Sequence, residues 1–205
     1  MLVFHNKRLV IFAVPKTGST ALEDALGPHA SLAIQSPPSQ RHMNWGAYAA
    51  QWQPVLKRIY GIRPEGMAVL REPVARLRSW YRYRAQAQFD GTEWSCAHLD
   101  FDRFIAASLA PDPPPCARIG SQDKFVMGDT GQVQIAHLFD YAQMPVMLDW
   151  LSARLGREVA LAARNRSPGL PAPLDPELEA RLRAARAAEF DLYDRVAALG
   201  HLHTP

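Results

Sequence analysis

Two cysteines, Cys96 and Cys116, are too few among 205 residues for a disulfide framework or a thiolate metal site. They read as incidental thiols, with a local bridge between them left open. An excess of charge is also lacking: 23 Lys and Arg stand against 20 Asp and Glu, a net charge of +3. So weak a balance argues against bulk nucleic-acid binding and suits an anionic small molecule. No apolar run approaches the roughly 20 residues that span a bilayer. The opening "MLVFHNKRLVIFAV" is interrupted by Lys7 and Arg8, and no small-residue cleavage site follows, so it does not read as a signal peptide. These absences lead to the expectation of a soluble, cytoplasmic protein, with peripheral attachment to the inner face of a membrane left open. No internal repeat is visible, and the length is that of one ordinary domain.

What the chain does have is an alternation of apolar runs, loops and amphipathic stretches. "LVFH" and "RLVIFAV" read as a strand pair around a tight turn, "SLAIQ" as a short strand, and "GMAVLR" and "QIAHLFDY" as buried strands. "STALEDALG", "PVARLRSWYRYRAQAQ" and "MPVMLDWLSARLG" carry helical spacing, and Asp175 caps a further helix begun by Pro176. Residues 36–65 read as irregular and polar. Residues 89–120, with "DGTEWS" and "PDPPPC", read as a loop-rich insert around the helical piece "DFDRFIAASL". The closing "HLH" reads as a frayed tail, and His137 as a core histidine. The order implies an α/β fold, with a central, mostly parallel sheet flanked by helices in three layers. In such sheets ligands lie beyond the carboxyl ends of the strands.

Two segments stand at such ends. "PKTGST" lies between the apolar run ending at Val14 and the first helix. Backbone N–H groups of residues 17–20 fall in the helix's first turn, without helical partners and at the positive end of its dipole. Gly18 lets the backbone approach a bulky oxyanion, Ser19 and Thr20 add hydroxyls, and Lys16 adds a mobile ammonium. This is not the common phosphate loop, in which the lysine follows the last glycine and precedes the hydroxyl residue. The second segment is "REPVARLRSWY", where Arg71 ends a strand and Ser79 lies two helical turns on. A guanidinium beside a hydroxyl suits a second phosphate. Two phosphate sites without the lysine–serine pair that holds Mg²⁺ point to a doubly phosphorylated nucleotide bound without metal.

"PKTGST" resembles the 5′-phosphosulfate loop of the sulfotransferases that use 3′-phosphoadenosine-5′-phosphosulfate. "REPVARLRSWY" is similar to their 3′-phosphate motif, and about fifty residues separate the two. "SQRH", "NRSP" and "EFDLYDRVAALG" agree with the carbohydrate-type members, bacterial ones included. The resemblance implies one sulfotransferase-like domain of P-loop-like fold over residues 1–205, with 89–120 on the acceptor side. It implies that Lys16 is catalytic, stabilising the leaving phosphate, and that Lys16, Thr17, Gly18, Ser19 and Thr20 bind the donor's 5′ end. Arg71 and Ser79 would bind its 3′-phosphate, with Asn165, Arg166 and Ser167 closing over the nucleotide. The product would be adenosine 3′,5′-bisphosphate, and the chemistry needs no metal.

The resemblance also implies a histidine base, and His42 in "QRHMNW" stands in the comparable region; Glu93 and His98 are the next candidates. Arg76 matches a family position. Arg78, Arg82 and Arg84 read either as a groove for an acidic sugar or as a solvated helix face. Trp45, Trp52 and Trp94 read either as sugar-stacking rings or as packing. The reading is of a sulfuryl transfer to a hydroxyl, with a carbohydrate or glycolipid acceptor. A non-catalytic nucleotide-binding protein and an atypical P-loop kinase stay beside it. The acceptor and the oligomeric state are not legible.

Overall fold

The computed structural model describes residues 1–128, 131–162 and 170–204. The strands are β1 (Leu2–Phe4), β2 (Leu9–Ile11), β3 (Leu32–Ala33), β4 (Glu65–Leu70), β5 (His137–Asp140) and β6 (His201–His203). The helices of the first half are α1 (Ser19–Leu26), α2 (Pro38–Arg41), α3 (Trp45–Gln51), α4 (Gln53–Tyr60) and α5 (Pro73–Arg84). After them come α6 (Phe101–Ser108), α7 (Gln122–Met127), α8 (Met144–Leu155), α9 (Pro176–Ala185) and α10 (Ala187–Leu199). The chain forms two compact units. The first comprises Met1–Arg71, Gln122–Arg164 and Leu192–Pro205; the second comprises Glu72–Ser121 and Asn165–Asp191.

The first unit is built on a six-stranded sheet in the order β3-β1-β2-β4-β5-β6. The chain is α/β as expected, but the sheet is mixed rather than mostly parallel. β2, β4 and β5 run parallel to one another; β1 runs against β2 and β3, and β6 runs against β5. The turn over His5–Arg8 explains one correction: it is far too short for the crossover that parallel strands need, so it makes a hairpin.

Strand side chains alternate between the two faces. Leu9, Ile11, Met67, Val69 and Phe139 pack with Leu22 and Leu26 of α1 and Met147, Leu151 and Leu155 of α8. Val10, Ala68, Leu70 and Leu138 pack with Tyr48, Leu56 and Val126 of α3, α4 and α7, and with Leu192 and Val196 of α10. Both faces of the sheet are therefore covered, which is why the strands read as unbroken apolar runs.

Residues 36–65 are not irregular: they hold α2, α3 and α4. Asn44 caps α3, its side chain accepting from Ala47 N at 2.9 Å, and Gly61 ends α4 with a left-handed φ of 66°. Each helix is short and sends few side chains inward, Tyr48 and Leu56 among them, so the apolar period was too faint to read. Trp45 packs on Phe12 and Tyr48, and the Trp52 indole N–H donates to Gln40 Oε1 at 3.0 Å. Packing accounts for both.

The end of the chain is not a frayed tail. His201–His203 form β6, with His203 paired opposite His137 and Leu202 opposite Leu138. His137 is buried, as expected. Its ring lies nearly parallel to that of His203 at 4.6 Å, its Nδ1 is 3.1 Å from His201 Nε2, and its Nε2 is 3.4 Å from Glu65 Oε2. Burial, and then the Glu65 contact working against it, leave the His137 pKa below its ordinary value; burial lowers His201 as well.

The second unit has its own core, in which Val74, Leu77 and Tyr81 of α5 meet Phe101, Phe104 and Ile105 of α6 and Leu178 and Leu182 of α9. Carboxylates cap three of its helix starts: Glu72 accepts from Val74 N and Ala75 N, Asp100 from Arg103 N, and Asp175 from Glu177 N and Leu178 N. Cys96 and Cys116 are buried there as free thiols, and burial pushes the Cys96 thiol up to about 12.

Arg78, Arg82 and Arg84 of α5 each donate to backbone carbonyls, and of the three Arg84 is the buried one. Arg78 Nε donates to Ala172 O and Arg82 Nε to Leu170 O, both at 2.9 Å. Arg84, buried, donates to the carbonyls of Pro115 and Cys116 at 2.5 and 2.6 Å. Arg76 lies 3.2 Å from Glu189, and both side chains are withdrawn from solvent.

Candidate functional site

The site is built at the carboxyl ends of the parallel strands of the first unit. Chain leaving β2 is fixed by Thr17, whose hydroxyl donates to Val14 O at 2.8 Å. Lys16 and Gly18, on either side of Thr17, have φ of 72° and 81°. A non-glycine residue held there costs about 1–2 kcal/mol, so the surrounding fold keeps Lys16 against its own backbone preference. Such left-handed turns aim successive N–H groups into an anion-sized concavity. Gly18 is also the N-cap of α1 and supplies no side-chain cap to the helix's first N–H groups. Ser19 is buried. Thr20 Oγ1 accepts from Arg41 Nη2 at 2.9 Å, and Arg41 in turn pairs at 2.5 Å with buried Glu23.

Arg71 leaves the end of β4 and meets this loop. Its Nη1 donates to Lys16 O at 3.2 Å, and its guanidinium lies 4.7 Å from the centre of the Tyr141 ring. Tyr141 follows β5, so three adjacent strand ends contribute Lys16, Arg71 and Tyr141. The ring edge of Tyr141 lies so close to Gly18 that a Cβ there would sit 3.2 Å from Cε2. The main chain of Arg71 is held as well. Gln122, almost wholly buried, accepts from Arg71 N at 2.9 Å and donates to Arg71 O at 2.8 Å.

The electrostatics follow from this gathering of cations. Burial first, and the Arg71 charge second, bring the Lys16 ammonium down from 10.5 to about 8. An oxyanion placed against both cations would oppose both causes. His42 stands at the same end of the sheet, its Nδ1 2.7 Å from Ala13 O. A carbonyl oxygen only accepts, so Nδ1 carries the proton and Nε2 presents a lone pair. Burial is the main cause that lowers the His42 pKa; the Ala13 bond opposes it and the Arg41 charge adds to it. The ring is therefore neutral at physiological pH and able to take up a proton.

The structure brings Lys16 and Arg71 into contact; the loop to Thr20 belongs to the same unit, as does His42, on the Ala13 carbonyl. Ser79 is half-buried on α5 in the second unit, and Glu93 and His98 are exposed there. Trp94 is also exposed, with the Arg84 guanidinium 5.1 Å from its ring centre. Asn165, Arg166 and Ser167 lie outside the described residues. Sequence reasoning missed Tyr141 and Gln122. The first had a signal, since it ends "HLFDY" just as Arg71 ends "AVLR"; a glutamine opening a short helix had none.

Among the described residues no group of three or more His, Cys, Asp or Glu side chains could hold a metal ion. Among them, too, no helix is long and apolar enough to cross a membrane. No protein-family model matches the chain, and no curated protein matches it.

Proposed function

We propose that this protein is a sulfotransferase, moving a sulfuryl group from 3′-phosphoadenosine-5′-phosphosulfate to a hydroxyl of a carbohydrate or glycolipid acceptor. One observation carries the reading. Lys16 and Arg71, 55 positions apart in the chain, meet at neighbouring strand ends, where Arg71 donates to the Lys16 carbonyl. In this reading the covered sheet is a P-loop-like, three-layer fold whose first loop takes the donor's 5′ end.

The acceptor oxygen attacks sulfur in line as the bond from sulfur to the phosphate oxygen breaks, so charge grows on the leaving phosphate, much as in phosphoryl transfer. Lys16 and the N–H groups of residues 17–20 meet that charge. His42 Nε2 takes the acceptor's proton, and adenosine 3′,5′-bisphosphate leaves. Arg71 recognises the 3′-phosphate.

The test is a donor-dependent screen of hydroxyl acceptors, read by mass spectrometry for added SO₃. Transfer that disappears in Lys16→Ala, while adenosine 3′,5′-bisphosphate still binds, supports the reading. Binding without transfer to any acceptor turns the protein into a nucleotide-binding scaffold. Failure of the bisphosphate to raise the melting temperature at saturation removes the donor site altogether.

A further inference from the structure

The ladder between β4 and β5 ends at Leu70 and Asp140, one residue short of Arg71. The N–H and C=O of Arg71 thus lie past the sheet's own hydrogen bonds, in a part-buried turn where each needs a partner. Gln122 supplies both from one carboxamide, Oε1 at 2.9 Å from Arg71 N and Nε2 at 2.8 Å from Arg71 O. A carboxamide is the neutral side chain that offers a donor and an acceptor side by side, as a backbone amide does. Glutamate would set a carboxylate oxygen against the Arg71 carbonyl, and asparagine is a methylene short. At 1% exposure, Gln122 leaves little room for water to substitute.

With the main chain fixed by α7, the side chain is fixed twice more, by the Lys16 carbonyl and by the face of Tyr141. We propose that Gln122 is a positioning residue which, by clamping the main chain of Arg71, sets the protein's preference for nucleotides that carry a 3′-phosphate. The proposal rests on the donor reading above. Its physical content is pre-organisation: a guanidinium held in place loses less freedom on binding, and that gain reaches only ligands it touches.

Titration calorimetry of the full chain with adenosine 3′,5′-bisphosphate and with adenosine 5′-phosphate tests it. Gln122→Glu is expected to weaken the bisphosphate at least tenfold and the monophosphate less than twofold. In an Arg71→Ala background the same substitution is expected to add nothing, because its effect passes through Arg71. Gln122→Asn, smaller in its disturbance, gives the same comparison if Gln122→Glu does not fold. Equal weakening of both nucleotides, or a loss that persists without Arg71, means general damage and overturns the proposal. A wild-type protein that binds the bisphosphate no better than the monophosphate overturns it too, and one that binds neither overturns the donor reading on which it stands.

Discussion

Raising the pH removes charge from Lys16 without altering an atom of the fold. With the ammonium at about 8 rather than 10.5, roughly nine-tenths of the lysines are charged at pH 7, half at pH 8 and about a tenth at pH 9. A bound bisphosphate nucleotide favours the charged form, so binding above pH 7 takes up a proton: about half of one per site at pH 8, nearly one at pH 9. The affinity is then expected to fall about tenfold, or about 1.4 kcal/mol, between pH 7 and pH 9.

Calorimetry at pH 8 in two buffers of different ionisation enthalpy measures the proton directly. Lys16→Arg, charged throughout the range, should bind with no uptake. The free protein should show the opposite trend. Its folded state holds fewer protons than the unfolded chain between about 8 and 10.5, so stability relative to Lys16→Arg should rise as pH climbs through that window. No proton uptake at pH 8, or the same uptake in Lys16→Arg, would refute the assignment of Lys16 to the anion.

Gly18→Ala combines a left-handed φ with a Cβ 3.2 Å from Tyr141, so a loss of about 1–2 kcal/mol in thermal or urea unfolding is expected, together with loss of bisphosphate binding. His42→Gln should abolish turnover yet leave bisphosphate affinity within twofold by calorimetry; an active variant would exclude His42 as the base. In the wild type kcat/KM should climb with pH only below 6.5 and be level at neutrality, because the histidine's pKa lies under its ordinary value. The folded-state pKa values of His137 and His201 are lowered, so stability should be intact above pH 6.5 and decline as pH falls below it. Amide exchange at Leu202 should quicken over the same range, and His137→Phe should flatten the decline.

Much of this architecture could be read from residue order, because the strongest signals are also the most buried. "RLVIFAV", "GMAVLR" and "QIAHLFDY" are strands with both faces covered, and Val74, Leu77, Tyr81 and Arg84 do point inward at helical spacing. Short elements escaped, since α3 and α4 bury one residue each and α2 none, too few to show a period. The direction of edge strands escaped as well: pairing is settled by which neighbours remain open, and "HLH" finds one only once β5 is in place. At the site, Lys16 and Arg71 were visible because loops after strands obey a local grammar. Gln122 was not. Its partner is a backbone amide 51 residues away, and any backbone amide looks the same in a sequence.

The carbonyls taken by Arg78, Arg82 and Arg84 have a consequence of their own. Proline-bearing coil, at residues 170–172 under Arg78 and Arg82 and at residues 113–116 under Arg84, is poor in N–H groups, and the chain's two thiols remain unjoined. Its fastening is done by guanidinium rivets, each driven from a helix into a passing carbonyl. Such rivets need no oxidant, survive reducing conditions, and depend on the flat, multi-pronged head that lysine lacks. Lysine at these three positions would keep the charge and let the coil go.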